Sequence, residues 1–498
     1  MTTAQARTTD SGAFDSLNPA TDEVVGTFPI HTAEDVAAAV ARAREAAGWW
    51  ADLGFAGRAE RLRRWNGVVT RRANQLAEVV HAETGKPHAD AMLEIIPAIA
   101  HTAWAAKNAR KVLGEQRRSP GLLMFNQAVT VEYQPLGVIG IIGPWNYPVL
   151  TPMGSIAYAL AAGNAVVYKP SEYTPAVGQW LVDAFAEAVP EQPVFQQVTG
   201  FGATGAALCR AGVDKIAFTG SPATGKKIMA ACAETLTPVL IEAGGKDALI
   251  VDADADVDAA ADAAVWGAMS NAGQTCAGIE RAYVHERVYD DFVAKVVEKS
   301  ATVRPGFDAD ASIGPITMPA QLDIIRRHIA DALARGARAV VGGADAVGDR
   351  YVQPTVLVDV PEDAEAVREE TFGPTLTIAK VHDMDEAIAK ANDSKYGLGG
   401  SVFSRANGMS LARRLRSGMT SINSVISFVG VPSVPFGGVG DSGFGRIHGP
   451  EGLREFGHPK AITRQRFRAP LTLTTFTRTK KVDAQVAKLI TLLHGKRR

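Results

Sequence analysis

Short apolar runs that alternate with helical segments constrain the fold of this chain more than any other feature. From about Val129 to about Ala248 these runs include "LGVIGIIG", "GNAVVYKP", "DKIAFTGS" and "TPVLIEAGG". Continuous apolar strands separated by helices are typical of a parallel sheet that is covered on both faces. From about Asp252 the segments "DAAADAAVWGAMS", "RAYVHE", "YVQPTVLVDV" and "TLTIAKV" repeat the alternation. The sequence therefore predicts two α/β units in tandem.

Residues 133–168 contain no charged side chain, and a stretch of this length is a candidate for a membrane span. Prolines and glycines interrupt it at Pro135, Pro144, Pro148, Pro152, Gly137, Gly140, Gly143, Gly154 and Gly163. Buried strands and a short helix explain this pattern better than a membrane span.

Residues 31–47 have the pattern of an N-capped amphipathic helix. Thr32 is followed by an acid three positions later and by apolar residues at helical spacing.

Composition and charge exclude several classes of protein. Hydrophobic residues make up 46% and charged residues 21% of the 498 residues, which is the balance of a globular protein. The formal net charge of −1 provides no global field for nucleic acid or for an anionic membrane. The opening "MTTAQARTTDSGAF" has no apolar core of a signal peptide, so we expect a cytoplasmic protein.

The C-terminal tail has a different charge. Between residues 464 and 498 there are ten Lys or Arg residues and one acid, Asp483. Its apolar residues fall on one helical stripe, formed by Val482, Val486, Leu489, Ile490 and Leu493. We expect a basic amphipathic tail over residues 471–498 that packs on the protein or on another subunit. A helix that binds a lipid surface is the alternative, and we regard membrane association as the weaker hypothesis.

The stretch "SNAGQTCAG", Ser270–Gly278, places a cysteine among small and uncharged residues. The chain has three cysteines, Cys209, Cys232 and Cys276, an odd number without metal-ligand spacing. This set excludes a disulfide framework, and we predict no metal site. Taken alone, Cys276 is compatible with a buried small hydrophobe, the usual role of a free cysteine.

Two glycine-rich segments are candidates for binding phosphate. "TGFGATG" contains Gly200, Gly202 and Gly205 at GxGxxG spacing, but no acid follows about twenty residues later, so this signal is weak. "FTGSPATGKK" is more persuasive, because a strand ends and a helix begins there, as a pyrophosphate site requires. Its candidate residues are Phe218, Gly220, Ser221 and Gly225.

Two acids follow apolar strands and could face a ligand. Glu172 in "YKPSE" comes after one strand, with Lys169 beside it, and could hold ribose hydroxyls. Glu242 in "LIEAGGK" ends another strand and precedes two glycines. The carboxyl ends of strands are where α/β sheets bind their ligands, although a solvated charge at the end of a strand is the simpler interpretation of Glu242 alone.

Six motifs occur in one order: "GPWNYP", "KPSE", "FTGS", "EAGGK", "GQTC" and "EETFGP". With them the chain resembles the NAD(P)-dependent aldehyde dehydrogenase superfamily from about Phe14 to about Ile462. The resemblance implies two Rossmann-like parallel-sheet domains, one for the cofactor and one catalytic, with a small β element for oligomerisation. It implies a cofactor domain of residues 8–124 and 144–250, a catalytic domain of residues 251–456, and a β element of residues 125–143 and 457–470.

The resemblance also implies roles for three residues. Cys276 would attack a small-molecule aldehyde as the nucleophile, because a thiolate is strongly nucleophilic and leaves well from a thioester. The side-chain amide of Asn146 and the backbone amide of Cys276 would hold the oxyanion. Glu242 would activate the water that hydrolyses the thioester.

For the cofactor, the resemblance implies NAD, with NADP as the alternative. Lys169 and Glu172 would face the adenine ribose, where Glu172 repels a 2′-phosphate and Lys169 opposes that preference. Ser221 would bind the pyrophosphate, and Glu370 and Phe372 would position the nicotinamide ribose and ring. The remaining expected cofactor residues are Trp145, Ser171, Gly202, Phe218, Gly220, Gly225 and Gly244.

Departures from the family pattern concern the substrate. Many relatives have a glutamate where this chain has Ile447, which leaves Glu242 as the candidate base. Relatives that resemble the succinic semialdehyde group have two arginines at the positions of Gly154 and Ser270, so an anionic substrate lacks that anchor here. The expected pocket walls are Tyr147, Leu150, Trp266 and Phe428. We therefore expect an uncharged apolar or aromatic aldehyde.

Three alternatives remain open. A CoA-acylating dehydrogenase would pass its thioester to CoA, but such relatives generally lack the glutamate found here at position 242. A non-catalytic protein that kept the fold would not need Cys276, Glu242 and Asn146. A thiol hydrolase would need a cysteine–histidine motif, and none is visible. The resemblance further implies a homodimer or homotetramer.

Overall fold

The structure is a computed structural model that describes residues 7–8, 12–469 and 474–495. The described residues form two compact units. The first lies within Met1–Val112 and Pro135–Gly457, and the second lies within Leu113–Gln134 and His458–Arg498. Both large sheets belong to the first unit. Its division into a cofactor domain and a catalytic domain stays a prediction.

The strands and helices follow one another along the whole described chain. The strands are β1 Arg7–Thr8, β2 Ala13–Leu17, β3 Val24–Pro29, β4 Gln116–Arg118, β5 Gln127–Pro135, β6 Val138–Ile142, β7 Ala165–Lys169, β8 Phe195–Gln197, β9 Lys215–Gly220, β10 Val239–Ala243, β11 Asp247–Val251, β12 Ile279–His285, β13 Arg338–Val341, β14 Thr355–Val358, β15 Thr375–Val381, β16 Gly400–Phe403, β17 Ser421–Ile422, β18 Gly443–Phe444 and β19 Gly457–Gln465. The α-helices are α1 Ala33–Asp52, α2 Gly54–Arg71, α3 Ala73–Thr84, α4 His88–Leu113, α5 Leu150–Ala162, α6 Pro175–Ala188, α7 Gly202–Arg210, α8 Pro222–Ala233, α9 Val257–Met269, α10 Glu286–Ser300, α11 Ala320–Ala334, α12 Glu365–Arg368, α13 Met384–Asn392, α14 Gly408–Arg414, α15 Gly449–Glu455 and α16 Lys480–His494.

The six-stranded sheet has the order β18-β10-β9-β6-β7-β8. Its strands are parallel except for β18, which runs antiparallel to β10. Strand β7 is buried along its whole length, as expected for a parallel strand covered on both faces. The four apolar runs that predict strands here are β6, β7, β9 and β10. Their carboxyl ends, at Ile142, Lys169, Gly220 and Ala243, meet along one edge of the sheet.

The seven-stranded sheet has the order β13-β14-β15-β12-β11-β16-β17. Its strands are parallel except for β13, which is antiparallel to β14. The predicted strands "RAYVHE", "TVLVDV" and "TLTIAKV" are β12, β14 and β15, and the predicted helix before "SNAGQTC" is α9. Apolar side chains of α9, α10 and these strands form one core cluster. The α/β fold with parallel sheets is therefore confirmed.

Strand pairing corrects three predicted boundaries. Residues 138–142 form β6 and pair with β7 and β9, so they do not belong to the small β element of residues 125–143. Residues 247–251 form β11 and pair with β12 and β16, so they lie outside the cofactor-side sheet. The small sheet has the order β19-β5-β4, and β4 lies within the range predicted for the cofactor domain. Apolar periodicity predicts a strand but not its partner.

The uncharged stretch divides as the sequence predicts. Residues 133–168 contain the end of β5, then β6, α5 and most of β7, and α5 ends at Gly163 with φ of 106°. Within the described ranges, no helix has the length and apolarity needed to cross a membrane. The capping box of α1 is also confirmed, because Thr32 accepts from Asp35 N and the Asp35 carboxylate accepts from Thr32 N.

The predicted amphipathic tail is helical over α16, and none of its residues is buried. Thr479 caps it by accepting from the backbone N–H of Val482. Residues 471–473 and 496–498 of the predicted tail lie outside the described residues. Whether the tail packs on a second subunit stays a prediction.

Candidate active site

The loop that carries Cys276 connects α9 to β12, and its backbone explains why its residues are small. Asn271, Ala272 and Gly273 have φ values of 52°, 54° and 72°. Bulky side chains disfavour this left-handed conformation. A Cβ at Gly273 would lie 2.0 Å from the backbone oxygen of Gly373. The loop therefore packs against a neighbouring backbone that leaves no room for side chains.

Gln274 fixes the position of this loop. Its side-chain amide donates to Asn271 O at 3.0 Å and to Pro315 O at 3.3 Å. Its side-chain oxygen accepts from Thr317 N at 2.8 Å. Because Gln274 is buried, these bonds are shielded from water, and they hold the segment just before Cys276.

Cys276 lies between two cavities. The larger cavity has a volume of about 800 Å³ and the smaller cavity about 430 Å³. Cys276 is the one described residue that lines both. A sulfur in this position can contact molecules that enter from two sides.

The larger cavity collects nearly all residues that the sequence predicts for the cofactor. They are Trp145, Lys169, Ser171, Glu172, Gly202, Phe218, Gly220, Ser221, Gly244, Glu370 and Phe372. Gly225 does not line it, which corrects one prediction. A Cβ at Gly225 would lie 3.1 Å from a side-chain carbon of Ile241, so this glycine brings α8 close to β10.

The wall of the larger cavity fits a dinucleotide. Helices α7 and α8 both begin at this wall, and the backbone N–H groups in their first turns, apart from Pro222, which has none, suit phosphate oxygens. Ser221 caps α8 by accepting from Thr224 N at 3.3 Å. A Cβ at Gly244 would lie 2.1 Å from the Glu370 carboxylate, so only glycine leaves room for that side chain. Glu370 accepts from Gly245 N at 3.0 Å.

Charges near the expected ribose site are mixed. Lys169 Nζ donates to Pro170 O at 2.9 Å and lies 3.9 Å from the Glu172 carboxylate. Burial lowers the pKa of Lys169, and Glu172 partly offsets this effect. The sequence missed Arg210 and Lys227, which also line the larger cavity. Both residues follow the glycine-rich segments identified in the sequence, but the sequence did not predict that their side chains would line the cavity.

The smaller cavity is lined mainly by apolar side chains. Tyr147, Leu150 and Trp266 line it as the sequence predicts. Phe428 does not line it in this arrangement, and its ring packs against Phe436 at 6.2 Å between centroids. The sequence missed the contribution of α4, which supplies Leu93, Ile96, Pro97 and Ala100. An amphipathic helix gives no signal in sequence that one of its faces borders a cavity.

Asn146 and Cys276 both line the larger cavity. Its Nδ2 donates to Gln274 O at 2.9 Å, and an amide NH₂ has a second N–H for another acceptor. Its backbone oxygen accepts from Lys86 Nζ at 2.7 Å and from Asn271 Nδ2 at 3.1 Å. Asn146 is thus held from both ends of the residue.

A buried ion pair that the sequence missed supports this region. Lys86 Nζ lies 2.9 Å from Glu94, and both side chains are at most 1% exposed. The second oxygen of Glu94 accepts from Val149 N at 3.1 Å and Leu150 N at 3.2 Å, at the start of α5. A carboxylate at a helix start is favourable because it satisfies free N–H groups there. The pair therefore joins α4, α5 and the backbone of Asn146.

Glu242 lies in β10 and is 3% exposed. Neither carboxyl oxygen has a hydrogen-bond partner among the described residues. Burial raises the pKa of Glu242 well above its ordinary value, Arg446 opposes this effect, and Glu455 adds to it. The side chain lines neither cavity in this arrangement. It lies beside Gly437, where a Cβ would be 2.7 Å from Glu242 Oε1.

A comparison with known protein families decides the identity of this arrangement. A model described as the aldehyde dehydrogenase family matches residues 6–462. This chain belongs to the aldehyde dehydrogenase family. The resemblance that the six motifs suggest is therefore confirmed over nearly the whole chain.

Individual relatives agree with this assignment. The chain is 38% identical to the 4,4'-diapolycopene aldehyde oxidase of Methylomonas sp over 459 residues, 91% of this chain and 86% of that protein. It is 37% identical over 453 residues to a protein of Mycobacterium ulcerans (strain Agy99) provisionally named succinate-semialdehyde dehydrogenase (NADP+) 2, covering 90% of this chain and 87% of that one. The crystal structure of an NAD-dependent aldehyde dehydrogenase from Sinorhizobium meliloti superposes with a TM-score of 0.88 at 35% identity, covering 93% of each chain. The mycobacterial relative is named as NADP+-dependent and the Sinorhizobium relative as NAD-dependent, and this aldehyde dehydrogenase is an enzyme of the same kind.

Two positions at which we expect this aldehyde dehydrogenase to depart from its family lie next to each other. A Cβ at Gly154 would lie 2.8 Å from Ile447 Cδ1 and 2.7 Å from His448 Nε2. Gly154 therefore makes room for the segment that carries Ile447. Ser270, at the other expected arginine position, lines the smaller cavity.

Acidic groups surround the dehydrogenase cysteine. Burial raises the pKa of Cys276 to about 12, and Glu370, Asp247 and Glu242 add to the effect. Burial likewise raises the pKa of Glu370 to about 8 and that of Asp247 to about 7. In the absence of cofactor and substrate, this environment therefore opposes ionisation of the thiol.

Proposed function

We propose that this aldehyde dehydrogenase oxidises an uncharged, apolar or aromatic aldehyde to the carboxylic acid with NAD, and that NADP is the alternative cofactor. The observation that carries the proposal is the position of Cys276, which is the one described residue that lines both cavities. The larger cavity would hold the dinucleotide and the smaller cavity the aldehyde. The sulfur then lies where a carbonyl carbon and a nicotinamide ring can meet.

The first step forms a bond between Cys276 Sγ and the carbonyl carbon. The thiol proton leaves to water or a neighbouring carboxylate, and the carbonyl oxygen becomes the oxyanion of a thiohemiacetal. The second N–H of the Asn146 amide and the backbone N–H of Cys276 would stabilise this oxyanion. One such donor contributes about 3 kcal/mol of transition-state stabilisation. The bonds that hold Asn146 orient the amide before the aldehyde enters.

When bound, NAD would supply the acceptor for the hydride that leaves the tetrahedral carbon, and Cys276 would then carry a thioester. Trp145 and Phe372 would border the ring, because they pack edge to face at 5.5 Å on the cavity wall. Glu370 would hold the nicotinamide ribose, Lys169 and Glu172 the adenine ribose, and Ser221 the pyrophosphate. Glu172 favours NAD, since its carboxylate repels a 2′-phosphate.

Glu242 would then activate the water that hydrolyses the thioester. Its raised pKa makes Glu242 a stronger base once it is ionised, but it also opposes ionisation in the resting enzyme. The carboxyl therefore has to lose its proton and turn towards the sulfur. A base at this position favours hydrolysis over transfer to CoA. The retained Cys276, Glu242 and Asn146 also argue against a non-catalytic protein, and the dinucleotide-sized cavity argues against a simple thiol hydrolase.

The smaller cavity supports an uncharged substrate. None of the described residues that line it is Lys or Arg, whereas Asp90 and Glu94 are both on its wall. A substrate carboxylate would therefore find no cation among the described wall residues, and Lys86, the nearby cation, is already paired with Glu94. The name of the Methylomonas relative points to an apolar aldehyde, whereas that of the mycobacterial relative points to a semialdehyde with a carboxylate. The wall favours the first class.

We also propose a homodimer or homotetramer that pairs through the small sheet of β4, β5 and β19. An exposed apolar group, Leu122, Leu123, Met124, Phe125 and Phe467, belongs to the same compact unit as this sheet. The cytoplasmic location stays a prediction from the sequence.

A panel of aldehydes tests the proposed function. Benzaldehyde and medium-chain alkanals should exceed succinic semialdehyde in kcat/KM by at least about tenfold, measured by NADH and NADPH formation. Higher kcat/KM for the semialdehyde would contradict the substrate class, and no oxidation of any aldehyde would contradict the activity itself.

A further inference from the structure

Side chains from three separate segments meet in a buried polar cluster of Lys246, Glu280 and Thr371. Lys246 ends the motif "EAGGK", Thr371 lies in "EETFGP", and Glu280 follows "GQTC" by four residues. Each of the three is at most 5% exposed, and none of them lines either cavity. The proposed reaction gives these residues no task, although all three come from segments that supply the site.

The Glu280 carboxylate is bound from two sides. Lys246 Nζ forms an ion pair with it and also donates to Thr371 Oγ1 at 3.2 Å. On the other side, Glu280 Oε2 accepts from Thr371 N at 2.8 Å, and Glu280 Oε1 accepts from Phe372 N at 3.0 Å. Hydrogen bonds to an ionised group are stronger than neutral ones, and a buried position shields them from water. One carboxylate therefore holds two consecutive backbone N–H groups.

The backbone of Phe372 needs such support. Its φ of 52° lies in the left-handed region, which bulky side chains disfavour. A conformation of this kind persists only where the surroundings enforce it. The bonds from Glu280 to successive N–H groups fix the directions of both peptide planes. The residue held in this way is the one whose ring packs edge to face on Trp145 at the wall of the larger cavity.

Glu280 also connects the Phe372 segment to the loop that carries Cys276. It lies in β12, the strand that this loop enters four residues after Cys276. The loop and the Phe372 segment are in direct contact, because a Cβ at Gly273 would lie 2.0 Å from Gly373 O. The carboxylate of Glu280 therefore ties the position of Phe372 to the strand that continues from the nucleophile.

From this geometry we infer that Glu280, paired with Lys246, is a positioning residue for hydride transfer. It holds Phe372 and Glu370, which immediately precedes the bound N–H groups, in place relative to Cys276. The inference rests on the proposed function, since hydride transfer is a step of that reaction. It adds a residue that touches neither the aldehyde nor the cofactor. Such a residue matters because a misplacement of about 1 Å can cost on the order of 100-fold in rate.

Hydrogen exchange of the cofactor-free enzyme tests the contact itself. In Glu280→Gln the side chain keeps its size but loses its charge and one of its two acceptor oxygens. The peptide that contains Thr371 and Phe372 should then exchange its amide hydrogens at least about tenfold faster than in the wild-type enzyme, since hydrogen bonds to a charged group are lost. Unchanged exchange in this peptide would overturn the inference.

Single-turnover kinetics test the consequence for the reaction. With benzaldehyde and saturating NAD, the rate constant for formation of the first NADH in Glu280→Gln should fall at least about tenfold. The Kd for NAD, measured by calorimetry, should rise several-fold, whereas KM for benzaldehyde should change less than about twofold, because the cluster does not border the smaller cavity. A rate constant does not depend on the amount of active enzyme, so a partly unfolded preparation remains informative.

Two further variants separate positioning from a loss of stability. Glu83→Gln is the matched control: Glu83 is also buried and accepts from two consecutive N–H groups, those of Ala176 and Val177, at 2.9 Å each, but it lines neither cavity. It should lower stability and leave the rate constant within about twofold of wild type. Lys246→Met/Glu280→Gln removes the uncompensated charge, so it should be more stable than Glu280→Gln and still be slow.

The outcomes distinguish this inference from the proposed function. A rate constant for Glu280→Gln within about twofold of wild type would overturn the positioning role and leave the proposed function intact. An equal fall in Glu83→Gln, or recovery of the wild-type rate constant in the double variant, would also overturn it. A wild-type enzyme that oxidises no aldehyde would instead contradict the proposed function, and hydrogen exchange would still test the contact.

Discussion

Removing the positive charge of Lys86 should destabilise this enzyme far more than removing a surface charge. Lys86 Nζ contacts Glu94 at 2.9 Å and Asn146 O at 2.7 Å, and it lies 4.3 Å from the centre of the Tyr147 ring. In Lys86→Met the stem length is kept while the charge and its donors are lost. The carboxylate of Glu94 would remain buried without its cation.

The size of the expected loss in the free energy of unfolding follows from the burial of this ion pair. Breaking a buried ion pair by removing one partner costs about 3–5 kcal/mol, because the remaining charge is uncompensated. The lost donor to Asn146 adds about 1 kcal/mol, although Asn271 still donates to the same oxygen. The double variant Lys86→Met/Glu94→Gln removes the uncompensated charge, so it should recover about half of the loss or more. In contrast Arg64→Met breaks the exposed pair with Glu60 and should cost about 0.5 kcal/mol or less.

Urea unfolding of the four proteins measures these differences, with refolding titrations to establish reversibility. We expect the stability order wild type, Arg64→Met, double variant, Lys86→Met. A cost below about 1 kcal/mol for Lys86→Met would refute the reasoning, since that is the range of surface pairs. A double variant that is as unstable as Lys86→Met would refute the reasoning as well.

Three further predictions concern the site. Gly437→Ala places a Cβ 2.7 Å from Glu242 Oε1 at a backbone φ of 149°, so it should lower kcat by about tenfold. Stopped-flow measurement should still show NADH formation in the first turnover, and an unchanged kcat would contradict the importance of this contact. Because burial raises the pKa of Cys276 to about 12, the rate of alkylation of the cofactor-free enzyme by iodoacetamide should rise about tenfold per pH unit up to about pH 10. A rate that reaches its plateau near neutral pH would contradict this environment of the thiol. Trp266→Ala should raise KM for benzaldehyde several-fold, whereas Phe428→Ala, whose ring does not line the cavity, should change it less than about twofold.

Much of the fold and the site could be predicted from local sequence. Apolar runs identify β6, β7, β9 and β10, and the order of six motifs identifies the family and the residues of the larger cavity. Most of these residues follow the carboxyl ends of strands, where local pattern and tertiary position coincide.

Other features depend on contacts between distant segments. The pairing of β11 with β12 places it in the seven-stranded sheet, and no periodicity encodes that partner. Lys86 and Glu94 are ordinary charged residues in sequence, and only burial makes them an ion pair. Phe428 and Gly225 belong to suitable segments, but the Phe428 ring packs against Phe436, and Gly225 brings α8 close to β10. Gly154 and His448 are far apart in the chain, so their contact could not be predicted.

The central claim is that Cys276 forms the covalent intermediate and Glu242 resolves it. Rapid-quench mass spectrometry of Glu242→Gln with aldehyde and NAD tests it most directly. We predict one NADH formed per active site in the first turnover, followed by accumulation of an acyl group on the peptide that contains Cys276. An adduct on another residue, or NADH formation by Cys276→Ser within about tenfold of wild type, would contradict the claim, since loss of the nucleophile should cost orders of magnitude.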